Sequence, residues 1–116
     1  MKLKQLTSKF NDCGCVIIAD KEKSILELNR IEVINFFEKY GVVLFKGFQN
    51  LKNELINFTN NYSISYANDA QRRERKMNSD KLHGVDEGKM EMPMHSEASY
   101  SPSWPEIVWF YCELAP

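Results

Sequence analysis

The residues of this chain best suited to chemistry are His95 and Glu97, at the head of the run HSEASYSPSWPEIVWFYCELAP that reaches Pro116. An imidazole nitrogen and a carboxylate oxygen are both donors that a divalent first-row metal accepts. In an extended backbone, side chains at i and i+2 point to the same face. A strand here would therefore aim His95 and Glu97 at a common point. Together they would fill two of the three positions of a 2-His-1-carboxylate triad, which leaves open positions on a non-haem Fe(II) for oxygen and a co-substrate. The second histidine of such a triad is not visible. His83, followed by Gly84, is isolated and reads as a loop residue.

Other reactive groups sit around this pair. Ser99 shares the parity of His95 and Glu97, and Tyr100 follows it, so both are candidate substrate-binding residues. For Tyr100 and for Trp104, core packing is the simpler reading, since aromatic side chains contribute most when buried. Met90, Met92 and Met94 alternate at strand spacing and read as the apolar underside of the strand that enters His95. Cys13-Gly14-Cys15 reads as a glycine-flanked entry into a strand rather than a metal or redox pair, and Cys112 as a small buried hydrophobe. The cluster Arg72-Arg73-Glu74-Arg75-Lys76 reads as a solvated face, because Glu74 and flanking acids dilute it.

The elements that must position these groups follow from pattern. Cys15–Ala19 is a short apolar strand, ended by the charged turn Asp20-Lys21-Glu22-Lys23. Asn29 can cap a helix that starts at Arg30 or Ile31, with Glu32 in its first turn near the positive end of the helix dipole. Val33, Phe36, Phe37 and Tyr40 fall at i, i+3, i+4 and i+7 and form one buried stripe, and Gly41 follows as a C-cap. Val42–Phe45 lacks alternation, as expected of a strand covered on both faces, and Gly47 closes it. A second helix spans about Leu51–Asn60, with Leu51, Leu55 and Phe58 on one side and Lys52 and Glu54 facing water. Residues 63 to 91 are polar. Ser101–Pro105 is a turn, and Glu106–Leu114 is the next strand.

Two blocks carry a resemblance to a known family. Tyr40-Gly41-Val42-Val43-Leu44-Phe45-Lys46-Gly47-Phe48 resembles a G-V-V-L-F-R-G-F strand, with Lys46 where Arg is more usual. His95-Ser96-Glu97, Ser99-Tyr100-Ser101-Pro102 and Trp109-Phe110-Tyr111-Cys112 are similar to an H-x-E-x-x-Y-x-P…F-Y-C stretch. The chain thus resembles the N-terminal part of a TauD/TfdA-type (clavaminate synthase-like) Fe(II)- and 2-oxoglutarate-dependent dioxygenase. The resemblance implies that His95 and Glu97 are iron ligands and that 2-oxoglutarate is the co-substrate. It further implies hydroxylation by O₂ of an unactivated C–H bond in a small amino-acid-like or peptide-like metabolite. In that family the second histidine ligand and the 2-oxoglutarate-binding Arg lie in the C-terminal half.

The implied fold is α+β, mainly β: an incomplete double-stranded β-helix (jelly roll) with N-terminal helices. Residues 1–116 would be the N-terminal portion of a single dioxygenase domain, with a C-terminal half or second chain as its partner. A complete jelly roll needs about eight strands, so some four strands cannot close one, and the isolated chain is expected to be inactive. The alternative is a non-catalytic remnant, or an association module that completes its sheet with another chain.

Composition narrows the classes further. Hydrophobic residues make up 43% of the 116, enough for one small core. A net charge of -1 argues against a nucleic-acid binder that relies on bulk electrostatics. No run approaches the roughly 18 apolar residues of a membrane span. The N-terminus lacks an uninterrupted apolar stretch, and three cysteines fit reduced thiols, so a cytoplasmic location is expected.

Overall fold

A computed structural model describes residues 2–5, 14–66, 81–85, 91, 93–98, 100–102 and 104–114. The chain divides into two units, Met1–Tyr62 and Ser63–Pro116. Cys13, the 72–76 cluster, Met90, Met92 and Ser99 lie outside the described residues.

The first unit is an α+β structure whose three strands form one mixed sheet. Strand β1 (Lys2–Gln5) runs antiparallel to β2 (Cys15–Ile18), and β2 runs parallel to β3 (Val43–Lys46), in the order β1-β2-β3. Parallel neighbours need a crossover of a dozen residues or more. Here the connection between β2 and β3 carries a short 3-10 turn, Ile25–Glu27, and helix α1 (Arg30–Tyr40). Helix α2 (Leu51–Asn60) follows β3.

Each boundary has a local cause. The Asn29 side chain accepts hydrogen bonds from the backbone N–H groups of Ile31 and Glu32, satisfying two donors that α1 leaves open. Gly41 ends α1 in the left-handed region, at φ 72°, with its N–H donating to the Phe37 carbonyl. The 3-10 turn starts with a capping box. Ser24 Oγ accepts from Leu26 N–H, and the Glu27 carboxylate accepts from Ser24 N–H.

Register decides which side chains share a face. Leu3 aligns with Ile17 and Ile17 with Phe45, while Cys15 aligns with Val43. This face meets the core: Cys15 and Ile17 are fully buried, with Ile25, Val33, Phe48 and Phe58 close behind. The Phe45 ring meets Phe58 edge-on at 5.2 Å and Phe48 at 6.5 Å, and Phe58 in turn meets Tyr62 at 4.9 Å. Arg30 lies over the Tyr62 ring, and its Nε donates to the Asn61 carbonyl. Burial pushes the Tyr62 phenol up, with the Arg30 charge pulling against it. Burial likewise raises the Cys15 thiol, which fits an inert packing residue.

The opposite face is more open than expected. Val16 and Ile18 are half-buried, but Leu44 is 48% exposed and Val42 55%. β3 is thus covered on one face, not two, with Phe45 turned to the Phe48 and Phe58 rings and Leu44 turned outward. Glu54 also departs from expectation. Its carboxylate accepts from Ser24 Oγ at 2.8 Å and from Ile25 N–H at 3.2 Å, tying α2 to the 3-10 turn instead of facing water.

In the second unit, no helix or strand is found among the described residues. The expected strand at 106–114 keeps the alternation of a strand without its ladder. Ile107, Trp109 and Tyr111 are half-buried, while Val108, Phe110 and Cys112 are exposed. Cys112 is therefore not the buried hydrophobe expected of it, and its Sγ donates to the Leu114 carbonyl at 3.3 Å.

Candidate metal centre

The approach to the candidate ligands is not a strand. Residues 93–96 carry no regular structure, and Glu97 opens a turn. Parity along a strand therefore does not explain how His95 and Glu97 are presented. Two local contacts do that work instead. On one side, His95 donates its Nδ1–H to the Pro93 carbonyl at 2.9 Å. On the other, Ala98 adopts φ 53° and its carbonyl accepts from Ser101 N–H at 2.8 Å, closing the turn behind Glu97.

A left-handed alanine is uncommon, because its Cβ crowds the following carbonyl oxygen. Ala98 is also buried, at 6% exposure, while residues 93–97 and Tyr100 around it are exposed. Both His95 and Glu97 are exposed, so their donor atoms can be reached from solvent.

The donor set suits a divalent metal in kind. With its proton on Nδ1, a neutral His95 ring keeps its lone pair on Nε2, and Glu97 offers carboxylate oxygens. In number the set is short. Among the described residues no group of three or more His, Cys, Asp or Glu side chains could hold a metal ion. His83, half-buried in the same unit, does not join the pair in such a group. The residues present thus offer two donors of the kinds a facial triad uses, short of the three that it needs.

The neighbours are placed otherwise than packing predicts. Tyr100 is 84% exposed, Trp104 is exposed too, and Met94 is fully open rather than an apolar underside. Tyr100 remains accessible beside the pair. Two positioning residues escaped notice in the sequence. Pro93 could have been found as a proline two residues before a histidine. Ala98 carries no signal of its type, because alanine does not ordinarily mark a left-handed turn.

The model of the family described as "Taurine catabolism dioxygenase TauD, TfdA family" matches residues 4–116. The chain belongs to the TauD/TfdA family. That match takes in both units, including His95 and Glu97. Enzymes of the TauD/TfdA family depend on Fe(II) and 2-oxoglutarate, which suggests dioxygenase-type chemistry and a small-molecule substrate with O₂. Nothing among curated proteins or solved structures matches the chain. Among the described residues no helix is long and apolar enough to cross a membrane.

Proposed function

We propose that this TauD/TfdA chain is the N-terminal part of a single Fe(II)/2-oxoglutarate-dependent dioxygenase domain, with His95 and Glu97 as two of the three iron ligands. The chain itself is an incomplete jelly roll, which a C-terminal half or a second chain makes whole, and the completed domain acts in the cytoplasm. Its substrate is a small amino-acid-like or peptide-like metabolite. The observation that carries the reading is the family match across residues 4–116, which spans both candidate ligands.

With Fe(II) and 2-oxoglutarate bound, O₂ would be the oxidant at an unactivated C–H bond, 2-oxoglutarate being oxidised to succinate and CO₂ as O₂ is reduced. The chain's own part is to present donors. His95 offers a neutral nitrogen from a ring whose other nitrogen is occupied by Pro93, and Glu97 offers an anionic oxygen that offsets metal charge. Ser99 and Tyr100, directly after the ligands, would orient the substrate. Two single-point ligands hold a metal weakly, so the 116-residue chain alone should bind Fe(II) loosely and turn nothing over.

Anaerobic equilibrium dialysis of the chain against Fe(II) tests this. His95→Ala and Glu97→Ala should each weaken binding by about tenfold or more, since even groups behind a metal ligand are worth that much. In the completed assembly, Glu97→Ala should also abolish 2-oxoglutarate-dependent succinate formation. Unchanged Fe(II) affinity in both variants would sink the assignment.

A second reading has one observation in its favour. Val108, Phe110 and Leu114 are exposed along a segment with strand-like alternation, and Phe110 reaches 77%. An apolar row of this kind suits a non-catalytic module that pairs with another chain by strand addition. Association that survives Glu97→Ala, without any iron dependence, would favour it.

A further inference from the structure

We propose that Pro93 is a positioning residue for the candidate centre: its carbonyl holds the His95 proton on Nδ1 and so reserves Nε2 as the metal-binding atom. This deepens the iron reading and rests on it for the identity of the metal. The argument begins with valence. A carbonyl oxygen has lone pairs and no proton, so the 2.9 Å contact forms only when Nδ1 carries the hydrogen. A neutral imidazole has a single ring proton. Nε2 is then the bare nitrogen, with its lone pair directed away from the backbone.

That outcome runs against the side chain's own preference. A neutral histidine in water favours the proton on Nε2, which would leave Nδ1 as the donor to a metal. The Pro93 contact therefore selects the tautomer that solvent disfavours. Metal-bound histidines commonly donate their second nitrogen to a carboxylate or backbone carbonyl, which fixes ring orientation and raises ligand basicity. Here the supporting carbonyl lies two residues upstream in the same chain, so no other element need be in place first.

Proline suits this task. Its ring fixes φ near −65°, removing one of the two soft torsions of the residue whose carbonyl receives the proton and leaving ψ to aim that oxygen. The chain downstream is restrained as well, by the left-handed Ala98 and the Ser101 N–H donating to its carbonyl at 2.8 Å. His95 and Glu97 thus lie between two local backbone restraints. Because the His95 contact is exposed, it acts as a bias on the tautomer population rather than a buried lock.

The test is a long-range ¹H–¹⁵N correlation on the full chain with ¹⁵N-labelled histidine, at alkaline pH. The sequence has two histidines, so a His83→Gln variant assigns the signals. His95 is expected with Nδ1 in the protonated class and Nε2 in the bare class. Pro93→Gly, which frees the carbonyl, should shift His95 back towards the aqueous tautomer ratio.

A predominantly Nε2–H ring in the parent chain would overturn the proposal. So would a Pro93→Gly variant whose tautomer is unchanged. Adding Mn(II) as a paramagnetic probe separates this inference from the reading beneath it. If His95 signals do not broaden, the metal assignment fails while the tautomer result stands. If they broaden in a chain with the Nε2–H tautomer, the metal assignment stands and the role of Pro93 is lost.

Discussion

In the Met1–Tyr62 unit, buried side chains hold regular elements together. Cys15, Ile17, Ile25, Val33, Phe48 and Phe58 are all nearly inaccessible, and every described helix and strand lies there. In the Ser63–Pro116 unit, Ala98 is the one hydrophobic side chain buried to that degree among the described residues, while Met94, Tyr100, Trp104, Phe110 and Leu114 are open. Yet the second unit carries His95 and Glu97. The difference shows two ways of fixing a side chain. A core fixes position by excluding water from many groups at once. A ligand-bearing loop can fix it by backbone hydrogen bonds and a restrained φ over a few residues, at little gain in overall stability.

The largest effect that would sharpen this contrast is expected at Phe58. It sits at 2% exposure between the rings of Phe45 and Tyr62. Phe58→Ala should cost about 3–5 kcal/mol, from lost transfer free energy plus the cavity left behind. Phe110→Ala, at a 77% exposed ring, should change stability by no more than about 0.5 kcal/mol. Urea denaturation of both variants checks the pair. Equal losses would mean that Phe110 is covered in solution and the contrast between the units is false.

A smaller effect is expected where the first unit uses polar groups. The Glu54 carboxylate accepts from Ser24 Oγ and from Ile25 N–H, a charge-assisted link between α2 and the 3-10 turn. Glu54→Ala should cost about 1–3 kcal/mol, because Ile25 N–H loses its acceptor at a part-buried site. Glu54→Gln, which keeps an acceptor oxygen, should lose less. If the two variants lose the same amount, the link depends on charge rather than on acceptor geometry.

How much of this was legible follows from the range over which each cause acts. Both helices could be read within a residue of their ends, because Asn29, Gly41 and the apolar spacing act over a few positions. Strand β2 could be read for the same reason. The capping box Ser24…Glu27 was equally local and was overlooked. β1 was hidden by its lysines. Lys2 and Lys4 flank Leu3 as solvent-facing charges often do on an edge strand, and Lys2 Nζ lies 3.5 Å from an Asp20 carboxylate oxygen.

Errors arose where a longer-range fact decided. Whether Val42–Phe45 is covered on one face or two depends on what packs over the sheet, which composition does not encode. Likewise, 106–114 keeps a strand's alternation, but a ladder needs a partner strand. At the candidate centre, the donor chemistry of His95 and Glu97 follows from residue type, whereas the local backbone that presents them does not. Parity predicted a strand, whereas Ala98 turns the chain at a residue type that gives no warning.

The smallest effects concern that turn. Gly41 and Ala98 both adopt a positive φ, at 72° and 53°, one with the residue suited to it and one without. A Cβ at Gly41 would meet nothing within 4 Å, so Gly41→Ala should cost about 1 kcal/mol through backbone conformation alone. The reverse change, Ala98→Gly, relieves a similar strain but gives back two terms. A glycine loses more entropy on folding, by about 0.4–1 kcal/mol, and the buried methyl is worth about 0.8 kcal/mol. These terms nearly cancel, so Ala98→Gly should be neutral to within about 0.5 kcal/mol. Amide exchange at Ser101, whose N–H donates to the Ala98 carbonyl, reads the local balance. A clear rise in protection would mean that the alanine holds uncompensated strain beside Glu97, as ligand-bearing turns sometimes do. A clear fall would mean that the Ala98 methyl, rather than the backbone, keeps the turn closed.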